Sequence, residues 1–322
     1  MDTTYLAQIE PTTKCNLKCS FCCGRVMDQS DLSFDHYKKF LNMFPQLRHI
    51  NLQGEGEPLL NPYFFTMVEY AVHRNIKVSF ISNASLFTPA NVEQILRSGI
   101  HSIRVSLETA KPTTFLSLRG FSITEVKSGI SLLLSERNKQ SLKTPSVGFA
   151  LTVLSSTLED VYSVFDLYSN LGMDGGIAIQ TLSTEPFHSG VYDEEMTNEY
   201  LSNYQKDRLF SIVSDAKVHT TLNRTSPNKH FYDELFPPRE EGVRERSITA
   251  CPWLENALNI DRHGRITPCC PVKAERWAFG TIDELNQKLI LKAKTEIANE
   301  LKNGIIPTPC QGCRIANILV NK

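Results

Sequence analysis

Lys14-Cys15-Asn16-Leu17-Lys18-Cys19-Ser20-Phe21-Cys22 stands just after the apolar stretch Leu6-Ala7-Gln8-Ile9-Glu10-Pro11, and its reading governs the rest of the chain. Three cysteines fall within eight residues, spaced Cys-x3-Cys-x2-Cys. Thiolates are the ligands of choice for iron–sulfur clusters, and a cubane ordinarily takes four of them. Three would leave one iron with an open coordination position, which is where a metal site does chemistry. Zinc pairs are usually spaced by two or four residues, with a second pair nearby, so the triplet fits a closed zinc site poorly. A disulfide framework is not expected in a long chain that opens Met1-Asp2-Thr3-Thr4, without the basic and apolar regions of a secretion signal.

At 322 residues the chain can bury a substantial core, and its length favours two domains. Hydrophobic residues make up 41% and charged residues 21%, and the formal net charge is −1. That balance gives no overall basic field for nucleic acid. No apolar run approaches the ~18 residues of a membrane span. Nine cysteines without a secretion signal point to metal ligation in a reducing compartment, hence to a cytoplasmic, oxygen-sensitive protein.

From residue 5 to about 180, short β-rich runs alternate with amphipathic stretches. Strands are expected at 5–9, 49–53, 77–81, 102–107, 146–153 and 176–180, and helices at 34–44, 63–73, 89–97, 124–135 and 157–170. Pro89 at a helix start and Gly99 shortly after Arg97 are good boundary signals. Six β-α units predict a parallel sheet, and periodicity alone fits a partial barrel and a doubly wound sheet equally. Either fold puts its ligand at the C-terminal ends of the strands. Residues 181–250 are polar and charged, contain Pro237-Pro238-Arg239-Glu240-Glu241-Gly242, and leave room for one helix within 194–214. They read as a bridge and substrate cap. Residues 251–322 form a further unit, with a hairpin over 258–267 around Gly264 and a helix from about 282 to 303, ended by Gly304 and Pro307.

Cys15, Cys19 and Cys22, with Phe21 as the aromatic before the third cysteine, resemble the CxxxCxΦC signature of the radical S-adenosylmethionine (SAM) superfamily. The resemblance implies an α/β fold, a partial (β/α)6 barrel of TIM type over 1–180. It also implies a [4Fe–4S] cluster that binds SAM, and an external one-electron donor such as flavodoxin or ferredoxin. Later segments match the family's SAM motifs in chain order. Gly54-Glu55-Gly56-Glu57-Pro58 resembles the "GGEP" motif, with Gly56 allowing close approach and Glu57 taking the methionine ammonium; Glu55 departs from the simplest form. Ser82-Asn83 and Ser106 match places that contact ribose or carboxylate, and Arg119 in Leu118-Arg119-Gly120 would fork onto the methionine carboxylate.

Cys251, Cys269, Cys310 and Cys313, separated by 17, 40 and 2 residues, supply a second set of four ligands. By themselves they suit a structural zinc ion or an iron–sulfur cluster, since both take four thiolates. Cys251-Pro252-Trp253, Gly264-Arg265-Ile266-Thr267-Pro268-Cys269 and Cys310-Gln311-Gly312-Cys313 resemble the SPASM and twitch extensions of radical SAM enzymes. That resemblance implies a small C-terminal iron–sulfur domain holding one auxiliary [4Fe–4S] cluster.

Two cysteines remain. Cys23 reads as a small packed residue. Cys270, beside Cys269 in Pro268-Cys269-Cys270-Pro271, is placed to return a hydrogen atom to a substrate radical, provided that a turn at Pro271 directs it to the barrel mouth. This resembles radical SAM epimerases such as neomycin epimerase. The layout also resembles the butirosin-pathway aminocyclitol dehydrogenase, for which Glu185, His188, Tyr192 and Asp193 are candidate bases. The expectation is epimerisation of a small polar substrate such as a sugar or aminoglycoside. Dehydrogenation is the second reading and peptide maturation the third, because the first strand begins within ten residues of Met1 and leaves no room for an N-terminal peptide-recognition domain.

Overall fold

The structure, a computed structural model, describes residues 4–182, 194–215, 230–235 and 249–321. Six parallel strands form the body: β1 (Leu6–Ile9), β2 (His49–Leu52), β3 (Lys77–Ser82), β4 (Ser102–Leu107), β5 (Ser146–Val153) and β6 (Ile177–Thr181). Alternation along them decides the two faces. Ala7, Ile9, Ile50, Leu52, Val78, Phe80, Ile103 and Val105 are fully buried in the main apolar core. The residues between them, among them Gln8, Asn51, Ser79, Ser102 and Arg104, are buried polar groups on the inner face. A polar interior is what a barrel with a ligand at its mouth requires.

The helices that cover the outer face are α1 (Phe34–Met43), α2 (Phe64–Val72), α3 (Pro89–Arg97), α4 (Pro112–Arg119), α5 (Ile123–Lys139) and α6 (Val161–Asn170). The Ser33 and Thr88 hydroxyls cap α1 and α3 by accepting from His36 N and Asn91 N. Gly99, at φ +80°, ends the turn after α3, where a Cβ would also meet Val72. Helix α4 is an addition to the sequence reading, and its eight residues begin at Pro112 and end against left-handed Gly120.

The hairpin of the third segment is not a sheet of its own. Its first strand, β7 (Ala257–Ile260), pairs in parallel with β1, and β8 (Arg265–Thr267) and β9 (Gly280–Thr281) follow antiparallel. The sheet therefore runs β6-β5-β4-β3-β2-β1-β7-β8-β9, and β1 lies inside it. Side chains reinforce this docking. Lys294 Nζ, on the helix Gln287–Lys302, donates to Thr4 Oγ1 (2.8 Å) and to the Ala257 carbonyl (2.9 Å). Arg262 Nη1 lies 3.2 Å from Glu10 at the end of β1.

The bridge divides. Two short helices, Glu194–Thr197 and Asn203–Ser214, stand where one helix is expected, and they attach beyond the C-terminal end of β5. There Glu199 accepts from Ser155 N and Ser156 N, and Arg208 forks onto Glu159. Residues 230–235 sit at the other end of the barrel, with Glu234 3.1 Å from His49 Nδ1 and 3.5 Å from Lys77 Nζ, on the first residues of β2 and β3. That part of the bridge seals the barrel floor. Glu185, His188, Tyr192, Asp193 and the Pro237-Pro238 run lie outside the described residues.

Ile260 is fully buried, opposite Ile9, in the same core as the barrel helices. Ile260→Ala is expected to destabilise the whole protein by about 2–5 kcal/mol. Both tryptophans, Trp253 and Trp277, lie in the third segment. Fluorescence unfolding should therefore shift together with far-ultraviolet dichroism, and separate transitions would contradict a continuous sheet.

Candidate active site at the barrel mouth

One loop interaction builds the site. The loop after β2 rests on the cysteine loop through Glu57 N, which donates to the Lys14 carbonyl at 2.8 Å. Gly56 makes the approach possible, because a Cβ there would lie 2.5 Å from Lys14 O and 2.6 Å from Thr12 O. Glu57 then caps the short helix Pro58–Leu60 and turns its carboxylate inward. Its Oε1 accepts from Ser82 Oγ (2.9 Å) and its Oε2 from Asn83 N (2.8 Å), both at the end of β3.

Glu57 is 2% exposed. Burial pushes its carboxyl up to about 7, while the donors at Asn83 and Ser82 pull the other way. A buried carboxylate without a cation bonded to it is suited to a cationic ligand. Asn83 also reaches the cysteine loop, its Nδ2 lying 3.8 Å from Cys15 Sγ and 3.2 Å from Asn16 Oδ1.

A cavity of about 580 Å³ occupies the mouth. Cys15, Cys19, Cys22 and Phe21 form one wall; Gly56, Glu57, Ser82, Asn83 and Ser106 form the next. Its volume is ordinary for a small-molecule site. Burial raises the Cys15 and Cys19 thiols and lifts Cys22 to about 12, with the Glu55 carboxylate adding to the Cys22 shift. Iron binding would displace those protons, so cluster assembly is pH-linked.

Arg119 belongs to the cavity wall, but its Nε and Nη2 already donate to Glu108, at 2.6 and 2.5 Å. Burial opposes the Arg119 charge, and the Glu108 carboxylate outweighs it and holds the guanidinium well above its usual range. The guanidinium also stands over the Phe21 and Phe115 rings, at 5.8 and 5.6 Å. Phe21 packs with Leu154, Leu182 and Met196.

The second cysteine set gathers around Cys269. Cys251, Cys269 and Cys270 pack against one buried cluster, around Phe231 and Trp253, and Cys251, Cys310 and Cys313 against another, around Leu254 and Leu301. Burial raises the Cys269 thiol well above its usual value, and Cys270, Cys251, Cys313 and Cys310 add to the shift electrostatically. Burial likewise lifts Cys310 to about 12. Among the described residues no three His, Cys, Asp or Glu side chains converge as they would on one ion. A cubane makes a different demand on its thiolates, which spread around a body of several metal atoms.

Cys270 lines the mouth cavity together with the N-terminal cysteines. The reason is a turn: Val272 N donates to the Cys269 carbonyl at 3.2 Å, so residues 269–272 leave the strand geometry that would direct neighbours to opposite sides. Cys23 is 7% exposed, and its Sγ donates to Glu55 Oε2 at 3.0 Å.

Sequence reasoning passed over several wall residues. Gln53, Arg104, Glu108, Thr152 and Gln180 also line the cavity. Strand alternation places Arg104 on the same face as Ser106, which was the available signal.

Fold and site together define an enzyme that works at the C-terminal mouth of a partial barrel, beside a three-cysteine loop. The chain belongs to the Radical SAM superfamily, whose sequence pattern matches residues 9–185. That family uses a [4Fe–4S] cluster and SAM, and its enzymes need a reductant. The AdoMet-dependent heme synthase of Methanosarcina barkeri is 27% identical, over 95% of this chain and 89% of that protein. A tungsten-containing aldehyde ferredoxin oxidoreductase cofactor-modifying protein of Pyrococcus furiosus is 25% identical, over 81% of this chain and 69% of its own length. The fold is also that of Streptococcus suis SuiB bound to precursor peptide SuiA, with TM-score 0.72 at 15% identity over 99% of this chain and 71% of that one. No described helix is long and apolar enough to cross a membrane.

If Glu57 holds the SAM ammonium, it must be ionised. SAM affinity should then fall as pH drops below about 7, by up to about tenfold per pH unit. Glu57→Gln should bind SAM weakly and without that dependence in equilibrium dialysis. A pH-dependent Glu57→Gln or a pH-independent wild type would contradict the assignment.

Proposed function

We propose that the chain is a radical SAM epimerase of a small polar substrate, with Cys270 as the hydrogen donor. In this reading Cys15, Cys19 and Cys22 hold the SAM-binding [4Fe–4S] cluster. Cys251, Cys269, Cys310 and Cys313 hold an auxiliary [4Fe–4S] cluster in a SPASM- or twitch-type extension. When bound, the first cluster and SAM supply a carbon-centred radical that removes hydrogen from an unactivated C–H bond.

The chain's own residues do the rest. Glu57, kept in place by Ser82 and Asn83 N, receives the SAM ammonium. Ser82, Asn83 and Ser106 offer short polar contacts to ribose or carboxylate. Arg119, committed to Glu108 by two donors, presents its remaining edge to the methionine carboxylate. Gln53, Thr152 and Gln180 give the wall hydrogen-bonding groups suited to a hydroxyl-rich ligand.

The observation that carries the reading is that Cys270 lines the same cavity as the three N-terminal cysteines, on a turn that frees it from Cys269. The Cys270 S–H bond breaks as a new C–H bond forms on the face opposite the abstraction. One electron from an external donor of the flavodoxin or ferredoxin type, with one proton from water, then restores the thiol. No net oxidation of the substrate results.

Anaerobic incubation of the reduced, cluster-loaded protein with a panel of sugars and aminocyclitols in heavy water tests this. The expected product is an isomer carrying one deuterium at the inverted carbon. Cys270→Ala should still release 5′-deoxyadenosine yet give no inverted product. A product two hydrogens lighter would mean dehydrogenation instead, and turnover only of peptides would mean maturation of the kind SuiB's bound precursor peptide brings to mind.

A further inference from the structure

Glu55 and Cys23 are unexplained by the motif that surrounds them, and both lead to one residue of the third segment. Lys273 Nζ lies 2.7 Å from Glu55 Oε1, while Glu55 Oε2 accepts from Cys23 Sγ at 3.0 Å. The Glu55 backbone is fixed in turn, its N–H donating to Glu10 Oε1 at 3.0 Å. One carboxylate thus ties the cysteine loop to the chain three residues beyond Cys270.

We infer that the Glu55–Lys273 pair is the clamp that positions the Cys270 thiol in the cavity, with Lys273 a positioning residue. The turn is held before and after the thiol. Thr267 Oγ1 donates to the Cys269 carbonyl at 3.1 Å, Val272 is 2% exposed, and Lys273 closes the far side. Docking of the segment as a whole does not depend on this pair. Strand β7 on β1, Arg262 on Glu10 and Lys294 on Thr4 hold it independently. Loss of Lys273 therefore loosens the Cys269–Val272 turn while the sheet and both cysteine sets stay together. Position matters here, because a misplacement of ~1 Å can cost ~10²-fold in a hydrogen transfer.

This inference rests on the thiol-donor reading, and a test without substrate separates the two. Cluster-loaded protein is reduced with dithionite and given SAM in heavy water, where the Cys270 S–H becomes S–D. Methionine release reports cofactor cleavage, and the deuterium fraction in 5′-deoxyadenosine reports how often Cys270 reaches the mouth.

Wild type should incorporate deuterium, and Cys270→Ala should fall to background. Lys273→Met should lower the fraction about tenfold while methionine release stays within about twofold, and Lys273→Arg should restore most of it. Glu55→Gln should follow Lys273→Met, and it serves as the probe if Lys273→Met does not fold. Should Lys273→Met and Glu55→Gln keep the wild-type fraction while Cys270→Ala loses it, the clamp is refuted and the donor stands. A wild-type fraction in Cys270→Ala refutes the donor and the clamp with it.

Discussion

The backbone contact between Glu57 N and Lys14 O, made possible by the missing side chain at Gly56, sets the geometry of the whole mouth. Two loops that are some forty residues apart in sequence are brought into van der Waals contact by it. One carries three thiols and the other a carboxylate, and all four groups face one cavity. Any side chain at position 56 would have to displace peptide groups of the cysteine loop, which are backbone atoms with nowhere to yield.

Around that contact the charges are arranged in committed pairs. Glu108 takes Arg119, Glu55 takes Lys273, and Glu10 takes Arg262. Ion pairs of this kind contribute little net stability once desolvation is counted, and removing one partner is far more costly than having neither. Their value here lies in direction: each links a different element to the mouth, from α4 through the loop after β2 to the hairpin of the third segment. Glu57 instead accepts from neutral donors, the Ser82 hydroxyl and the Asn83 N–H, and burial dominates its proton affinity.

The β-α alternation made six strands and most helices legible, because the strands are short and apolar on alternate residues and most have a Gly or Pro close by. Helix α4 was not, since Pro112–Arg119 is brief and mixes apolar and polar residues without a clear apolar stripe. The hairpin at 258–267 was readable, but its place beside β1 was not. Parallel pairing of Leu6 with Ala257 joins residues 251 positions apart, and no local pattern encodes such a contact. In the site, Cys15, Cys19 and Cys22 were marked by their spacing, and Gly56, Glu57, Ser82 and Asn83 by resemblance to the family's motifs in chain order; the structure brings these seven to one cavity. Glu108, Glu55 and Lys273 were hidden because a charged residue in a loop reads as solvated until its partner is in view. The turn at Cys269–Val272 was only conditional in the sequence, and a single hydrogen bond decides it.

The account turns on an iron of the N-terminal cluster that SAM can chelate beside Glu57. Electron paramagnetic resonance of the reduced cluster, recorded before and after adding SAM, tests this directly, with Cys251→Ala and Cys310→Ala replaced together to silence the auxiliary signal. A changed spectrum on SAM addition, followed by methionine release, is the result the account requires. An unchanged spectrum in cluster-loaded protein, with no methionine released under reduction, would contradict it.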